Sequence, residues 1–437
     1  MARSRITAIK VAAVAMAAGL VLTACGSGGS APEAASSGPV TIEFWGWAPG
    51  YDKAVAAFNA SHKDIKVKYN TIASGGKGGY AKMQAAVKAG NGPCLGQVGD
   101  ESIPSFVMDG TLMDISEKAS PEQDKFYPVA WSGVQVGGKV YGIPMDSSPI
   151  GMFYRTDLFK KYGIKPAKTW DEYAKQAATV HAADPHKYLA TYTGNDISWL
   201  IALAQQAGAK WFDTVGDSWK VDFNDPATAK VAAYWQHLLD GKLALPENGY
   251  EPTWFNHLQD GTIASYIGPV WFAPILKDNA ATSSGKWAVA PVPSWDAANP
   301  AGGNMGGSAT SVLTGCKHPE QAVAAATWIS TEAAGLDPIV KAAGILPAAK
   351  SGVNSPMLAE GLPFYGGQQV YKVFGAEMPT IPSTWVWGPM NSQMNSNILD
   401  QLGKVQSGGP SILDALTSAE AKMHADMKAK GLSVATG

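Results

Sequence analysis

The sequence predicts an α/β fold built on a parallel sheet, and three observations support this class. Residues 41–45 alternate polar and apolar side chains as a strand does, and residues 65–69 alternate strictly. Between them, residues 52–62 repeat apolar side chains at helical spacing. A helical segment at 80–89 and a short strand at 95–98 follow. This order of strands and helices is typical of parallel sheets, which bind ligands beyond the carboxyl ends of their strands.

The rest of the chain continues this alternation. Residues 138–144 are typical of a short hairpin arm. Residues 169–172 read Thr-Trp-Asp-Glu, a capping box that begins a helix reaching Val180. The spacing predicts further helices at 196–208, 227–240, 319–334 and 411–430, and strands at 285–293 and 309–315. No repeat of 20 to 50 residues is visible.

The composition excludes some classes of function. Only 16% of the 437 residues are charged and the net charge is −2, whereas a typical soluble protein has about 25% charged residues. Because such a chain lacks the positive charge that neutralises a phosphate backbone, we expect no nucleic-acid partner. Tryptophan is abundant, with 15 residues, and the only arginines are Arg3, Arg5 and Arg155.

The N-terminus predicts export and anchoring. Positive residues precede an apolar run at 11–18, which is too short to span a bilayer because that needs about 20 residues. Leu22-Thr23-Ala24-Cys25 resembles a bacterial lipobox, which implies cleavage before Cys25 and lipids on that residue. The alternative is an ordinary cleaved signal with a chance cysteine. We therefore expect residues 1–24 to be a lipoprotein signal peptide.

Residues 25–39 are rich in Gly, Ser and Ala and have no periodic apolar face. They predict a flexible tether with a span of roughly 20 Å. More than one acyl chain anchors a protein stably, and a multiply acylated Cys25 meets that condition. We therefore expect the folded part to lie at the extracellular face of the cell membrane, attached through Cys25.

Several short motifs follow one order along the chain. They are IEFWGW at 42–47, GGKVYGIP at 137–144, FYRTDLF at 153–159, PAKTWDE at 166–172, GPVW at 268–271 and GGS at 306–308. Through these motifs the chain resembles the extracellular solute-binding lipoproteins of bacterial ABC sugar importers, the group that includes maltose-binding proteins. The resemblance covers nearly the whole of the exported part.

This resemblance implies a two-lobe periplasmic-binding-protein-like fold with a hinge and a central cleft. Lobe one would comprise residues 40–150 and 304–348, and lobe two residues 151–303 and 349–437. It implies a binding protein and not an enzyme. Such a protein would carry a carbohydrate to the permease subunits of an ABC transporter, as a monomer without a cofactor. No Cys/His cluster has the spacing of a metal site, so we expect no metal.

Cys94 and Cys316 can be a disulfide or two buried thiols. A disulfide is permitted outside the cell, but the sequence alone does not show that the two residues are close. In the lobes that the resemblance implies, both fall in lobe one, which favours the bond. At Gly92-Pro93-Cys94 the related proteins usually have Gly-Pro-Asp, and this departure favours a structural role for Cys94.

A sugar needs flat aromatic surfaces for its C–H faces and polar groups for its hydroxyls. Residues of these types follow predicted strand ends or match the binding positions of the related proteins. The candidate ligand-binding residues are Trp45, Trp47, Asp100, Glu101, Asp146, Ser148, Trp254, Trp271, Gly307, Ser308, Trp385 and Trp387. We expect one of Trp45 and Trp47 to touch the ligand, and we expect Trp271 to be the principal stacking surface.

The scarcity of arginine bears on the ligand. Arginine is favoured for recognising carboxylates and phosphates, and after cleavage only Arg155 remains, beside Asp157 at a predicted helix start. We therefore expect a neutral, hydroxyl-rich ligand, a mono- or oligosaccharide. The alternatives are a binding protein for another neutral, polyol-like solute, a surface adhesin, and a secreted glycoside hydrolase, which would use two of the acidic residues for catalysis.

Overall fold

In the computed structural model, which describes residues 39–435, the predicted parallel sheet is confirmed. Strand β1 (Val40–Gly46) lies between β2 (Ile65–Thr71) and β3 (Leu95–Gly99) and is parallel to both. Helices α1 (Tyr51–Ser61) and α2 (Gly79–Lys88) make the crossovers. The three strands therefore end at one edge of the sheet, where a ligand site is expected.

The predicted signal peptide, Cys25 and all of the tether except its last residue lie outside the described residues. Across residues 39–435, none of the helices combines the length and apolar character that crossing a membrane requires.

One long strand joins the two halves of the molecule. The first part of β6 (Ile143–Arg155) pairs antiparallel with β13 (Asn304–Val312) and β14 (Leu346–Pro347). Its second part pairs with β11 (Ser265–Pro269) and β12 (Trp287–Pro291). β13 also pairs antiparallel with β3, which gives the order β11-β6-β13-β3-β1-β2. The chain therefore crosses between the halves along adjacent, hydrogen-bonded strands.

The other elements surround this sheet. The remaining helices are α3 (Ile103–Met108), α4 (Ser116–Ala119), α5 (Pro128–Gly133), α6 (Thr156–Lys161), α7 (Trp170–Ala183), α8 (Ile197–Gln206), α9 (Pro226–Asp240), α10 (Pro252–Asp260), α11 (Phe272–Asn279), α12 (Pro319–Thr331), α13 (Ala333–Ala343), α14 (Val370–Glu377), α15 (Asn391–Gln406) and α16 (Ile412–Ala429). Three small two-stranded pairs are β4 (Gln135–Val136) with β5 (Lys139–Val140), β7 (Ala190–Tyr192) with β10 (Ala244–Pro246), and β8 (Phe212–Val215) with β9 (Ser218–Val221).

Two separate hydrophobic cores lie on either side of the crossing strands. One is formed by residues between 42 and 145 together with residues between 309 and 349. The other is formed mainly by residues between 150 and 292 together with residues between 358 and 427. We call the parts around these cores lobe one and lobe two, while the boundaries given above stay a prediction.

Cys94 and Cys316 are joined by a disulfide in lobe one. Cys94 directly precedes β3, and Cys316 follows the end of β13, the strand that pairs with β3. The backbone N–H of Leu313 also donates a hydrogen bond to the carbonyl of Cys94, at 2.9 Å. The bond therefore fastens one end of this strand pair.

Removing the disulfide should destabilise lobe one. The bond joins residues 222 positions apart, and closing so long a loop restricts the unfolded chain strongly. We expect the double change Cys94→Ser and Cys316→Ser to lower the free energy of unfolding by about 2–5 kcal/mol, measured by urea denaturation. An unchanged midpoint and slope would contradict this expectation.

Candidate functional site

Three acidic side chains come together where β3 ends. Asp100 and Glu101 follow β3 directly, in the short 3₁₀ turn Asp100–Ser102, and Asp146 lies on β6. β13 runs between these strands, and its Ser308 is in register with Gly99 on one side and Asp146 on the other. The sheet order therefore collects carboxyl groups from distant parts of the sequence.

A chain of hydrogen bonds fixes this edge of the sheet. The Ser308 hydroxyl donates to Asp146 Oδ1 at 2.6 Å, and Gln97 Nε2 donates to Ser308 Oγ at 3.2 Å. Gln97 Oε1 accepts from the backbone N–H groups of Trp47 and Ala48, both at 3.0 Å. The loop after β1 is thereby tied to the acidic cluster, and Trp47 is held at the rim.

Asp100 lies beneath two glycines. A Cβ atom on Gly307 would lie 2.5 Å from Asp100 Oδ2, and one on Gly133 would lie 2.7 Å from it. Gly306 and Gly307 also have φ angles of 108° and 145°, a region that side chains disfavour. Only 5% of Asp100 is exposed, and its Oδ1 has no hydrogen-bond partner. The carboxylate is thus enclosed but unsatisfied.

Burial dominates the electrostatics of the cluster. It raises the pKa of Asp146 to about 6, although hydrogen bonds from Ser308 act in the opposite direction. Burial, followed by the charges of Asp146 and Glu101, raises the pKa of Asp100 well above its ordinary value. Burial also raises the pKa of Glu101, but this side chain is partly exposed, so solvent screens it more than the other two.

Trp271 forms the facing wall, on lobe two. It follows β11, and its indole Nε1 donates to the carbonyl of Met305 on β13, at 3.1 Å. The ring of Tyr250 stacks against it, with centroids 6.0 Å apart and an angle of 27° between the planes. The indole is therefore held from two directions, by a crossing strand and by an aromatic neighbour.

Tyr250 is a residue of the site that sequence reasoning missed. Its φ angle is 66°, and a left-handed conformation is uncommon for a large side chain. Asn195 holds the preceding residue, accepting from the Gly249 N–H at 2.8 Å and donating to the Gly249 carbonyl at 3.1 Å. The Tyr250 hydroxyl lies 3.1 Å from that of Tyr266. These contacts place the Tyr250 ring behind Trp271.

Between these walls lies a cleft of about 320 Å³. It gathers seven of the predicted residues; Asp100 is not one of them, although its Oδ2 lies against Gly307, which lines the cleft. The predicted residues that line it are Trp47, Glu101, Asp146, Ser148, Trp271, Gly307 and Ser308. Tyr80 and Gln97 line it as well and were not predicted. A polar residue inside the otherwise apolar β3 was the available signal for Gln97.

Trp385 and Trp387 lie elsewhere between the lobes. They line an adjoining cavity of about 450 Å³, which is bounded on the lobe-one side by Gly133 and by the β4–β5 hairpin. Their rings contact each other edge to face, with centroids 5.5 Å apart. These two predicted residues are thus brought together, but not in the cleft beside Trp271.

Two predicted ligand-binding residues need correction. Trp254 is fully buried in the core of lobe two, where its Nε1 donates to Thr191 Oγ1 at 3.3 Å. It lies on the buried face of helix α10, together with Phe255 and Leu258. Trp45 does not line the cleft either. Trp45 lies within β1, which ends at Gly46, whereas Trp47 follows the end of that strand. The Lys82 ammonium lies 4.6 Å from the centre of the Trp45 ring.

The site can accept hydrogen bonds and cover apolar faces. Its carboxyl groups are strong acceptors for hydroxyl donors, and the indoles of Trp47 and Trp271 offer flat surfaces. In the part of the chain that the structure describes, no group of three His, Cys, Asp or Glu side chains is placed to hold a metal ion. Arg155 does not contribute to the site, because its guanidinium donates hydrogen bonds to Asp157 and to two backbone carbonyls.

The chain is similar to known binding proteins both in its sequence and in its structure. The family described as bacterial extracellular solute-binding protein matches residues 46–336. The arabinooligosaccharide-binding protein of Bacillus subtilis (strain 168) is 26% identical over 315 residues, which is 69% of this chain and 71% of the relative. The lactose-binding protein of Rhizobium radiobacter is 26% identical over 407 residues, 86% of this chain and 90% of the relative.

Two solved structures are similar over almost their entire length. The galacto-N-biose-/lacto-N-biose I-binding protein of Bifidobacterium longum, in complex with lacto-N-biose, has a TM-score of 0.80 at 29% identity, covering 92% of this chain and 100% of that one. A binding protein associated with an ABC transporter of B. animalis subsp. lactis Bl-04, in complex with β-1,6-galactobiose, has a TM-score of 0.74 at 25% identity, covering 91% and 100%.

The acidic cluster should make stability fall as pH rises. Because the folded pKa of Asp146 is about 6 and an unfolded Asp has a pKa of about 3.9, its contribution is fully present below pH 4 and is lost as pH rises through 6. We expect Asp146→Asn to flatten the fall in unfolding free energy between pH 4 and 7, by about 3 kcal/mol at most.

The control is Asp114→Asn, on the surface of lobe one. Hydrogen bonds from Ser116 and Lys139 lower the pKa of Asp114 to about 2, so its contribution is constant between pH 4 and 7 and is lost only at lower pH. Urea denaturation at several pH values measures both variants. Equal slopes for Asp146→Asn and the unchanged protein would rule out the expected effect.

Proposed function

This chain belongs to the family of bacterial extracellular solute-binding proteins, and we propose that it captures an extracellular carbohydrate in the cleft between its lobes. It then delivers the sugar to the permease subunits of an ABC transporter. It acts as a monomer attached to the membrane through lipids on Cys25, and it holds the sugar without cleaving it.

The cleft lined by the carboxyl groups of Glu101 and Asp146 and by the indoles of Trp47 and Trp271 carries this proposal. Carboxyl oxygens are strong acceptors, and the hydroxyls of a sugar are matching donors. Each hydrogen bond to a charged acceptor contributes roughly 1.5–3 kcal/mol. A few such bonds with two stacked rings support micromolar affinity, about −8 kcal/mol, once the loss of freedom on binding is subtracted.

The charges of the site favour a neutral ligand. The carboxylate of Asp146, whose pKa is about 6, would repel an anion at neutral pH. The one arginine among the described residues is 4% exposed, and four of its five N–H groups donate hydrogen bonds within lobe two. The sugars named for the relatives above are uncharged as well. These observations support a mono- or oligosaccharide over an amino acid or a phosphorylated ligand.

A carboxylate cluster also suits a glycoside hydrolase, which uses one carboxyl as acid and a second as nucleophile or base. The family and the similar structures are binding proteins, which supports capture instead. Incubation with β-1,6-galactobiose, lactose and arabinobiose, followed by chromatography, separates the two. Capture predicts that the sugars are recovered intact, and released monosaccharide would overturn it.

Trp271→Ala should weaken binding strongly. Calorimetric titration with lactose, lacto-N-biose, β-1,6-galacto-oligosaccharides and arabino-oligosaccharides identifies a ligand. For that ligand we expect the loss of the ring to cost about 1.5–3 kcal/mol, roughly ten- to hundredfold in Kd. Trp45→Ala is the control, because this indole lies on β1 and does not line the cleft. Equal losses in both variants would contradict the assignment.

Tyr250 should act through Trp271. Tyr250→Asn keeps a residue that tolerates positive φ and removes the ring, and we expect it to raise Kd about three- to tenfold. In the Trp271→Ala background the same change should have no further effect, a coupling of about 1 kcal/mol. Tyr250→Phe, which keeps the ring, should restore most of the affinity. Additive losses in calorimetry would show that Tyr250 does not position Trp271.

A further inference from the structure

A one-way chain of hydrogen bonds connects the rim of the cleft to Asp146. Gln97 Oε1 accepts from the backbone N–H groups of Trp47 and Ala48, so its Nε2 is the atom that donates to Ser308 Oγ. A serine hydroxyl has one hydrogen, and that of Ser308 goes to Asp146 Oδ1, at 2.6 Å. The direction of the chain is therefore set at its start, by two backbone N–H groups that can only donate.

This direction distinguishes the two oxygens of the Asp146 carboxyl group. Because Oδ1 already accepts from Ser308, a proton that the group takes up goes to Oδ2. Asp146 lines the cleft, and Oδ2 is the oxygen that remains for a ligand. An ionised Asp146 thus offers an acceptor to a sugar hydroxyl, whereas a protonated Asp146 places an O–H donor at the same position.

The groups that face Asp146 in the described part of the chain are acidic or neutral. The 3₁₀ turn after β3 brings the carboxyl groups of Asp100 and Glu101 near it. Helix α1 contributes Tyr51, and burial raises the pKa of this hydroxyl, which keeps it neutral. β14 places Pro347 in register with Asp146, and α5 has no titratable side chain. None of the residues that line the cleft is a lysine, arginine or histidine.

Asp146 therefore takes up a proton in mildly acidic surroundings. Burial raises its pKa to about 6, so about half of the molecules carry this proton at pH 6. Burial raises the pKa of Glu101 as well, but Ser102 and Tyr80 donate to its Oε1, at 2.9 and 3.3 Å. These bonds favour the ionised form of Glu101, which leaves Asp146 as the proton carrier of the cleft.

We propose that sugar binding releases a proton from Asp146, and that Gln97 is the positioning residue that keeps this proton on the oxygen facing the ligand. The O–H bond at Oδ2 breaks, the proton passes to the solvent, and the carboxylate accepts a hydrogen bond from a sugar hydroxyl. Capture is therefore weaker in acidic surroundings. The inference rests on the proposed function, because it concerns the same cleft.

Calorimetric titration between pH 5 and 8 tests the proton release. The probe is whichever of lactose, lacto-N-biose, β-1,6-galactobiose and arabinobiose binds at pH 8. Since the pKa of Asp146 is about 6, we expect Kd to be about tenfold higher at pH 5 than at pH 8. At pH 6, the heats in Bis-Tris and phosphate buffers should show the release of about half a proton.

The outcomes separate the two proposals. An affinity that does not change with pH, or uptake of a proton on binding, would overturn the inference and leave carbohydrate capture standing. If none of the sugars binds at pH 8, the proposed function fails and the inference falls with it. In Asp146→Asn, the remaining affinity should not change between pH 5 and 8, and a persisting pH dependence would assign the proton to another group.

Gln97→Glu tests the positioning role. A glutamate still accepts from the two backbone N–H groups, but it does not donate to Ser308, and its charge adds to that of Asp146. Both effects raise the pKa of Asp146. We expect the pH at which the affinity is half of its maximum to move from about 6 to about 7. Ser308→Ala, which removes the donor itself, should move it in the same direction and serves where Gln97→Glu impairs folding.

Asn59→Asp is the matched control. It also exchanges an amide for a carboxylate in lobe one, at a side chain whose two hydrogen bonds go to the Val67 backbone, both at 2.8 Å. Because Asn59 does not line the cleft, its substitution should leave the pH profile of binding unchanged. A profile that stays in place in both Gln97→Glu and Ser308→Ala would remove Gln97 from this role.

Discussion

The enclosed carboxylate of Asp100 is the constraint on which the rest of the site depends. A buried polar group without a partner is destabilising, and an ionised one more so. The surroundings do not relieve it, because Asp146 and Glu101 add like charge. Two glycines leave room for it, and a side chain at either position would collide with it. The site is therefore rich in acceptors, and none of the residues that line the cleft is a lysine, arginine or histidine, which favours ligand hydroxyls as the donors.

The site belongs to both lobes because the chain crosses between them along paired strands. Lobe one supplies the acids and Trp47, lobe two supplies Trp271, and β13 links them through the bond from Trp271 to Met305. The lobes also touch directly, where the Ser105 hydroxyl donates to the Pro389 carbonyl at 2.9 Å. A ligand held from both sides stabilises the arrangement in which the lobes are close, which is the form a transporter can distinguish.

The sequence predicted most reliably the strands and helix starts that depend on residues close together in the chain. Alternation located β1 and β2, and the Thr169 side chain accepts from the Glu172 N–H as its capping motif predicts. Helices such as α11 and α15 were missed, because Pro and polar residues interrupt their apolar spacing.

The candidate site was predicted in part, since acids and aromatics at strand ends are visible in the sequence. The features that could not be predicted depend on contacts between residues that are far apart in the sequence. The conformation of Tyr250 depends on Asn195, and the choice between Trp45 and Trp47 depends on Gln97, 50 residues further along the chain. The inward turn of Trp254 likewise depends on how α10 packs.

The disulfide has a consequence for the binding chemistry that it never touches. It closes the end of the β3–β13 pair opposite to Asp100 and Ser308, roughly 15 Å away along the strands. A slip of one residue between these strands would turn Ser308 to the opposite face and break its bond to Asp146. The disulfide thus fixes the register of β3 and β13. Because disulfides form in oxidising surroundings, this register is fixed covalently only outside the cytoplasm.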